Sequence, residues 1–504
     1  MSLSVRERDE LLVKSPVAEP PLDRALTRGV AWMGLTKWST QIVSWATTLV
    51  VVGLLTPADF GILGMATILL GVMTVLSEFG IDAAVITLRD LSAEALRQLN
   101  TLSVLFGFSC GLLACALAPL MAWFFRTPEL SWVVIAMSGT FVVSGFRVVP
   151  QALLQKHLRF RGLAMAEAGQ ALLTSGATVL FAWLGYRYWS LVIGGLLGSM
   201  VITGLILAQS RCAFAWPRRR ETGAALKFSR HTILARLAWY GYDNADFLVA
   251  GRVLGRDALG AYTVAWQLAT AVIQRITSLI ARVTPAVLSA AQRDPAALRR
   301  YLFAVTETIA LFTMPATVGL ALVAPDLVRL ALGSRWESAI VPLQLLSLYA
   351  TVRSVTPFLS QVLAVTGDMH RVMRINLWGL LVLPPVFLFA SRWGVGGIAA
   401  AWIVAHPLVI AVPAAAIVFR RLGVTTRDYV ATLLPAATAV GVMSMGVLAA
   451  RLVRPESMGP VVGLVLDVLV GAVCYIGALL LLHRERIRRV WRFARSNFAR
   501  SPAT

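Results

Sequence analysis

Charge is what this sequence has least of. Only 14% of its 504 residues are Asp, Glu, Lys or Arg, while 58% are hydrophobic, and the mean hydropathy is +0.75. Soluble domains carry about a quarter charged residues, so a chain wetted on all sides is excluded. Acidic side chains are the scarcest, 25 against 46 Lys and Arg, which leaves a net charge of +21. Cysteine is rare: Cys110, Cys115 and Cys474 lie in apolar windows and Cys212 in a basic loop, which suggests neither a disulfide framework nor a metal cluster. The five histidines (His157, His231, His370, His406, His483) are scattered. No Gly-rich loop runs into Lys-Ser/Thr. The sequence therefore offers no metal site, no cofactor site and no catalytic constellation, and the chain reads as a non-enzyme that cannot itself hydrolyse ATP. A membrane-embedded glycosyltransferase or ligase would need a large catalytic loop outside the membrane, and every loop on that side is short.

What the sequence has is apolar windows of roughly 20 residues, each long enough to cross about 30 Å of hydrocarbon. Windows of that length mean helices rather than barrel strands. The expected fold class is an all-α polytopic membrane protein with about fourteen spans, near 29–53, 59–80, 98–125, 130–152, 162–184, 188–209, 228–251, 258–283, 301–324, 338–363, 373–391, 394–419, 429–450 and 461–482. Alternate loops are rich in arginine, among them Arg159 with Arg161, Arg218 to Arg220, Arg299 with Arg300, and Arg420 with Arg421. The intervening loops hold one or two each. By the positive-inside rule both termini are cytoplasmic. Residues 1–24 are polar without a cleavable-signal pattern, so the first span directs insertion. The tail 483–504 places Ile487, Val490, Trp491, Ala494 and Phe498 at helical spacing among arginines, as in a helix lying on the inner leaflet. Arginines spread among loops attract anionic membrane lipids. They do not build the single basic face that nucleic acid requires.

The chain also repeats itself. The turn LLTPADFG (54–61) aligns with VLGRDALG (253–260), matching Gly61 to Gly260. The segments RDLSAEALRQ (89–98) and RDPAALRR (293–300) read as short cytoplasmic amphipathic pieces. APLMAWFF (118–125) aligns with APDLVRLA (324–331). The expected organisation is a tail (1–24), an N-lobe of spans 1–6 (25–215), a C-lobe of spans 7–12 (216–427), two further spans (428–482) and the basic tail. An even number of spans per half makes the repeat parallel, with two lobes around a central cavity.

Ionisable residues at membrane depth are costly and mark candidate sites. The repeat pairs Lys37 with Arg236, and Arg147 with Arg353; Arg275 falls at similar depth. Together these five would line a cytoplasm-facing cavity whose natural counter-ion is a phosphate or pyrophosphate. Arg147 and Arg275 are also near enough to the interface to snorkel. Glu78, Glu167 and Glu307 are available partners. In YGYDNADF (240–247), Tyr240, Asp243 and Asp246 are spaced to share one helical face, and with Glu78 they are candidates for a coupling ion or for sugar contacts. Trp239 and Trp266 are candidates for stacking on sugars or for interfacial anchoring.

The segments LTPADFGILGMATILLGVMTVLSEFGIDAAVI (55–86), VPQALLQKHLRFRGLAMAE (149–167), DNADFLVAGRVLGRDALGAYTVAWQL (243–268), TPAVLSAAQRDPAALRRY (284–301) and PDLVRLALGSRWESAIVPLQLLSLYA (325–350) resemble the polysaccharide-transporter family. This is the Wzx-type group of the MOP superfamily, in its colanic-acid and teichuronic-acid exporter branch. The resemblance implies a bacterial inner-membrane flippase for undecaprenyl-pyrophosphate-linked oligosaccharides, feeding lipopolysaccharide, capsule or exopolysaccharide synthesis. It implies two six-helix lobes, and as partners a polysaccharide polymerase and a chain-length regulator. The alternatives are a cation-coupled, MATE-like drug exporter, whose cavity should be acidic, and a lipid II flippase.

Overall fold

A computed structural model describes residues 43–44, 46–78, 81–87, 91–157, 159–217, 236–281, 294–455 and 458–484. Every regular element among these residues is helical. Residues 46–54 open the described chain, followed by α1 (Pro57–Glu78), α2 (Ile81–Thr87), α3 (Ala93–Phe125), α4 (Leu130–Gly145), α5 (Val148–Lys156), α6 (Phe160–Trp183) and α7 (Trp189–Gln209). After a helical stretch at 236–243 come α8 (Ala245–Val249), α9 (Gly255–Ala281), α10 (Pro295–Leu327), α11 (Ile340–Val365) and α12 (Met369–Ala390). The chain closes with α13 (Gly394–His406), α14 (Val412–Leu422), α15 (Thr426–Val453) and α16 (Pro460–Leu482).

Eight stretches among the described residues are long and apolar enough to cross a membrane, and nine if α4 and α5, bent by 44° at their junction, count as one. Local chemistry sets the ends. Ser92, Asp294 and Thr425 cap α3, α10 and α15 by accepting first-turn amides on their side chains, the role for which short oxygen-bearing residues are favoured. The amphipathic segments at 89–98 and 293–300 run straight into the long helices: from Ala93 and from Pro295 the chain forms the first turns of α3 and α10. All four cysteines are free.

Helices between 57 and 209 pack mainly on one another, as do those between 245 and 422. The two groups meet chiefly where α1 crosses α9. The crossing depends on glycine. A Cβ on Gly61 would strike the carbonyl of Arg256, and a Cβ on Gly260 would strike the carbonyl of Pro57. Lipid supplies no hydrophobic drive between helices, so close backbone approach through small residues is what holds such a crossing. The same face of α1 continues through Gly64, which abuts Thr263, to Gly71, which leaves room for the Tyr240 hydroxyl. That hydroxyl donates to the carbonyl oxygens of Thr67 and Ile68 at 3.0 and 3.1 Å.

The Pro57 end of the interface is further closed by Trp336, which is fully buried. Its indole N–H donates to the Val52 carbonyl at 3.1 Å and its ring meets Phe60 edge-on at 5.4 Å. Arg256 pairs with Glu129 across the same end at 3.9 Å, and Arg252 lies 5.6 Å over the Phe124 ring. The last two helices attach to α10. Arg451 binds Asp467 and Asp326, each at 2.7 Å, and the Tyr475 hydroxyl donates to the Leu311 carbonyl at 2.6 Å.

Gly61→Val and Gly260→Val should each lower the thermal midpoint of the purified protein, since overpacking costs about 1–3 kcal/mol. Gly176→Ala, where nothing lies within 4 Å of the added carbon, should leave it unchanged. A melting series in one detergent checks both.

Candidate functional site

The end of α1 remote from Pro57 borders a polar cavity built by the helices between 57 and 209 alone. A cavity of about 340 Å³ lies among α1, α2, α3, α4, α5 and α7. Its wall is built mainly by one polar stripe: Thr140, Ser144, Arg147, Gln151 and Gln155 all line it, at spacings of three and four along an otherwise apolar span. Thr74 and Ser77 face them from α1, and Asp82 from α2. The bend between α4 and α5 is local to this site. Phe146 and Arg147 form the turn at the break, so Arg147 enters at a kink rather than from the middle of a straight helix. Among the described residues no hydrogen bond or ion pair holds its guanidinium. Glu167 on α6 is the carboxylate whose charge reaches it.

The pairing partner assigned to Arg147 has a different environment. Arg353 lies within unbroken α11. Its guanidinium binds Asp243 at 3.0 Å and lies 4.8 Å over the Trp266 ring. Trp266, Tyr349 and Trp402 form a continuous aromatic cluster around it, with Tyr349 and Trp402 stacked at 5.0 Å. A guanidinium on a ring face with one carboxylate partner is a stable way to hold a cation away from bulk water.

The helical spacing of Tyr240, Asp243 and Asp246 predicts a single face, but Asn244 interrupts the helix with φ −121° and ψ 9°. The three side chains take three sets of partners. Tyr240 bonds the α1 backbone, Asp243 pairs with Arg353, and Asp246 is fully buried, accepting from the Tyr262 hydroxyl at 2.6 Å and the Trp402 indole at 2.8 Å. Arg236 is exposed at the start of its helical stretch and has interactions of its own. Arg275 lies on α9 and Glu78 ends α1, with side chains outside the described residues. Lys37 is likewise outside them.

Sequence reasoning missed the lining residues Thr140, Ser144, Gln151 and Thr74, and it missed Tyr262, Tyr349 and Trp402. Thr140, Ser144 and Gln151 were detectable, because with Gln155 they flank Arg147 at helical spacing; Thr74, on α1, was not. The second set looks like ordinary apolar helix content, and no periodicity separates it from core.

Removing one partner of the half-buried pair should be costly, about 3–5 kcal/mol. Arg353→Leu alone should therefore destabilise the protein more than Arg353→Leu combined with Asp243→Leu, as read from a double-mutant cycle of thermal midpoints.

Among known proteins, the family described as "Polysaccharide biosynthesis protein" matches residues 50–341. An uncharacterised membrane protein from the cps region of Klebsiella pneumoniae is 24% identical over 370 residues, covering 73% of this chain and 76% of that one. The lipopolysaccharide biosynthesis protein WzxC of Escherichia coli K12 is 26% identical over 345 residues, 66% of this chain and 68% of that one. Among solved structures, the lipid II flippase MurJ in an inward closed conformation superposes with a TM-score of 0.72 at 13% identity, covering 90% of this chain and 99% of that one. An inward-facing MATE-family multidrug transporter of the MOP superfamily gives 0.62 at 17% identity, with 76% and 94% covered. Both likenesses are likenesses of fold.

Proposed function

The chain belongs to the polysaccharide biosynthesis protein family, and we propose that it is a flippase carrying lipid-linked oligosaccharide units across a bacterial membrane by alternating access. The observation that carries this reading is the contrast between the two ends of α1. At the Pro57 end, backbone meets backbone at Gly61 and Gly260; at the other, a polar cavity bears Arg147. A transporter that opens to one side at a time needs such a difference.

In full, the proposal is fourteen spans, with two parallel six-helix lobes at 25–215 and 216–427 and two outer spans at 428–482. Both termini are cytoplasmic in the inner membrane, which makes the Pro57 end extracytoplasmic. The substrate is undecaprenyl-pyrophosphate-linked, and a polymerase and chain-length regulator act on the far side. Lys37, Arg236 and Arg275 are proposed to attract the pyrophosphate between the lobes. Arg147 acts from the N-lobe wall. Arg353 acts indirectly, by fixing Asp243. Asp246, a buried carboxylate beside Tyr262 and Trp402, is the candidate for a coupling proton or Na⁺. The drug-exporter alternative draws nothing from the cavity, where a cation with no described partner favours an anionic or hydroxyl-rich cargo over a cationic one.

Lys37→Ala with Arg236→Ala should abolish surface polysaccharide in a strain relying on this gene, while membrane fractions still contain the full-length protein. Normal polymer from the double variant would contradict the cationic-cavity reading. Drug resistance lost in the deletion strain, with polymer intact, would support the exporter instead.

A further inference from the structure

The cavity beside α4 and α5 can be read by counting which of its groups give protons and which accept them. Five hydroxyls of its wall already donate to backbone carbonyls: Thr74 to Leu70 at 2.8 Å, Ser77 to Thr74 at 3.0 Å, Ser103 to Gly145 at 2.9 Å, Thr140 to Met137 at 2.7 Å and Ser144 to Phe141 at 3.1 Å. What each turns to the cavity is therefore lone pairs. Asp82, exposed and on the same wall, adds a carboxylate that can only accept. Against these stand the Arg147 guanidinium, which only donates, and the Ser199 hydroxyl and the amides of Gln151 and Gln155, which both give and take.

An ionised pyrophosphate has acceptors alone, and it would face this wall acceptor to acceptor beside a carboxylate. A sugar is the opposite case. Each hydroxyl donates one proton and accepts others, so hydroxyls can serve the lone pairs of Thr74, Ser77, Thr140, Ser144 and Asp82 while taking bonds from Arg147 and the two glutamines. A carboxylate receiving two adjacent hydroxyls, opposite a planar guanidinium, suits a ring bearing vicinal diols. The volume of about 340 Å³ lies at the lower end of the range for small-molecule sites, enough for one or two sugar rings and not for a whole repeat unit.

We infer that this N-lobe cavity is the sugar subsite, taking one or two hydroxyl-rich sugar residues of the cargo, with Gln151, Gln155 and Arg147 as the groups that select among them. The pyrophosphate then falls to the cations between the lobes. This rests on the flippase reading and divides the cargo between two places. The kink at Phe146 and Arg147 lies within this wall, between Ser144 and Gln151. In α11, which carries Arg353, no such bend occurs and that arginine is held by Asp243 and Trp266.

The test uses the full chain in lipid nanodiscs and two probes, followed by saturation-transfer NMR. One probe is oligosaccharide released by mild acid from the surface polysaccharide of the source strain. The other is farnesyl pyrophosphate, which carries no sugar. Gln151→Leu and Gln155→Leu should each weaken the oligosaccharide about tenfold and leave farnesyl pyrophosphate within twofold of the parent. Equal losses for both probes would overturn the inference in favour of a pyrophosphate site, and an unchanged oligosaccharide affinity would overturn it outright. Gln151→Asn and Gln155→Asn keep the amide and disturb packing less. If a leucine variant fails to fold, unaltered oligosaccharide binding in both asparagine variants counts equally against the inference. A parent protein that binds farnesyl pyrophosphate and no oligosaccharide contradicts the subsite alone, whereas one that binds neither contradicts the flippase reading itself.

Discussion

The crossing of α1 and α9 at Gly61 and Gly260 is the contact on which the rest of the molecule depends. Two helices touch there through bare backbone, each glycine seated against a carbonyl of the other strand of the crossing. Any side chain at either position would push the helices apart and open a path beside Trp336 and Phe60. Because lipid competes equally for apolar surface, this closeness cannot come from hydrophobicity and must come from shape. Among the described residues the contact is held by van der Waals packing, the indole bond from Trp336 to Val52, the bonds from the Tyr240 hydroxyl to the Thr67 and Ile68 carbonyls and one loose ion pair between Arg256 and Glu129.

Farther from that end the two groups of helices differ in what they do with the two arginines that the sequence alignment of the halves pairs. Arg353 is immobilised by Asp243 and a wall of aromatic rings, and it rigidifies the region around Asp246. Arg147 sits at a kink facing a cavity of hydroxyls and amides. On our reading, one side of the transporter supplies a rigid scaffold and the other a ligand surface. A cargo with a charged linkage at one end and sugar at the other suits such asymmetry better than it suits two identical pockets.

Much of this was legible in the sequence. Apolar windows locate α1, α3, α7 and α16 to within a few residues, because twenty lipid-facing positions leave little freedom of composition. Gly61 and Gly260 emerged as a matched pair before it was visible that they touch, since a backbone contact permits no other side chain at either position. The partners of charged groups were not legible. Tyr240, Asp243 and Asp246 each meet a different neighbour, the α1 backbone, Arg353 and the Tyr262–Trp402 pair, and spacing along one segment does not say which neighbour lies opposite each residue. Likewise the aromatic residues around Arg353 come from α9, α11 and α13, and nothing local in any of those segments says that they converge.

The account stands most directly on whether the glycine crossing must open for cargo to pass. Arg256→Cys with Glu129→Cys, in a chain whose four native cysteines are replaced, would place one thiol on each side of the closed end. A short, reducible bis-methanethiosulfonate would tether them in liposomes containing a fluorescent lipid-linked oligosaccharide on one leaflet. The account predicts that movement of the lipid between leaflets stops when the tether forms and returns when it is reduced. Undiminished movement through the tethered protein would contradict it.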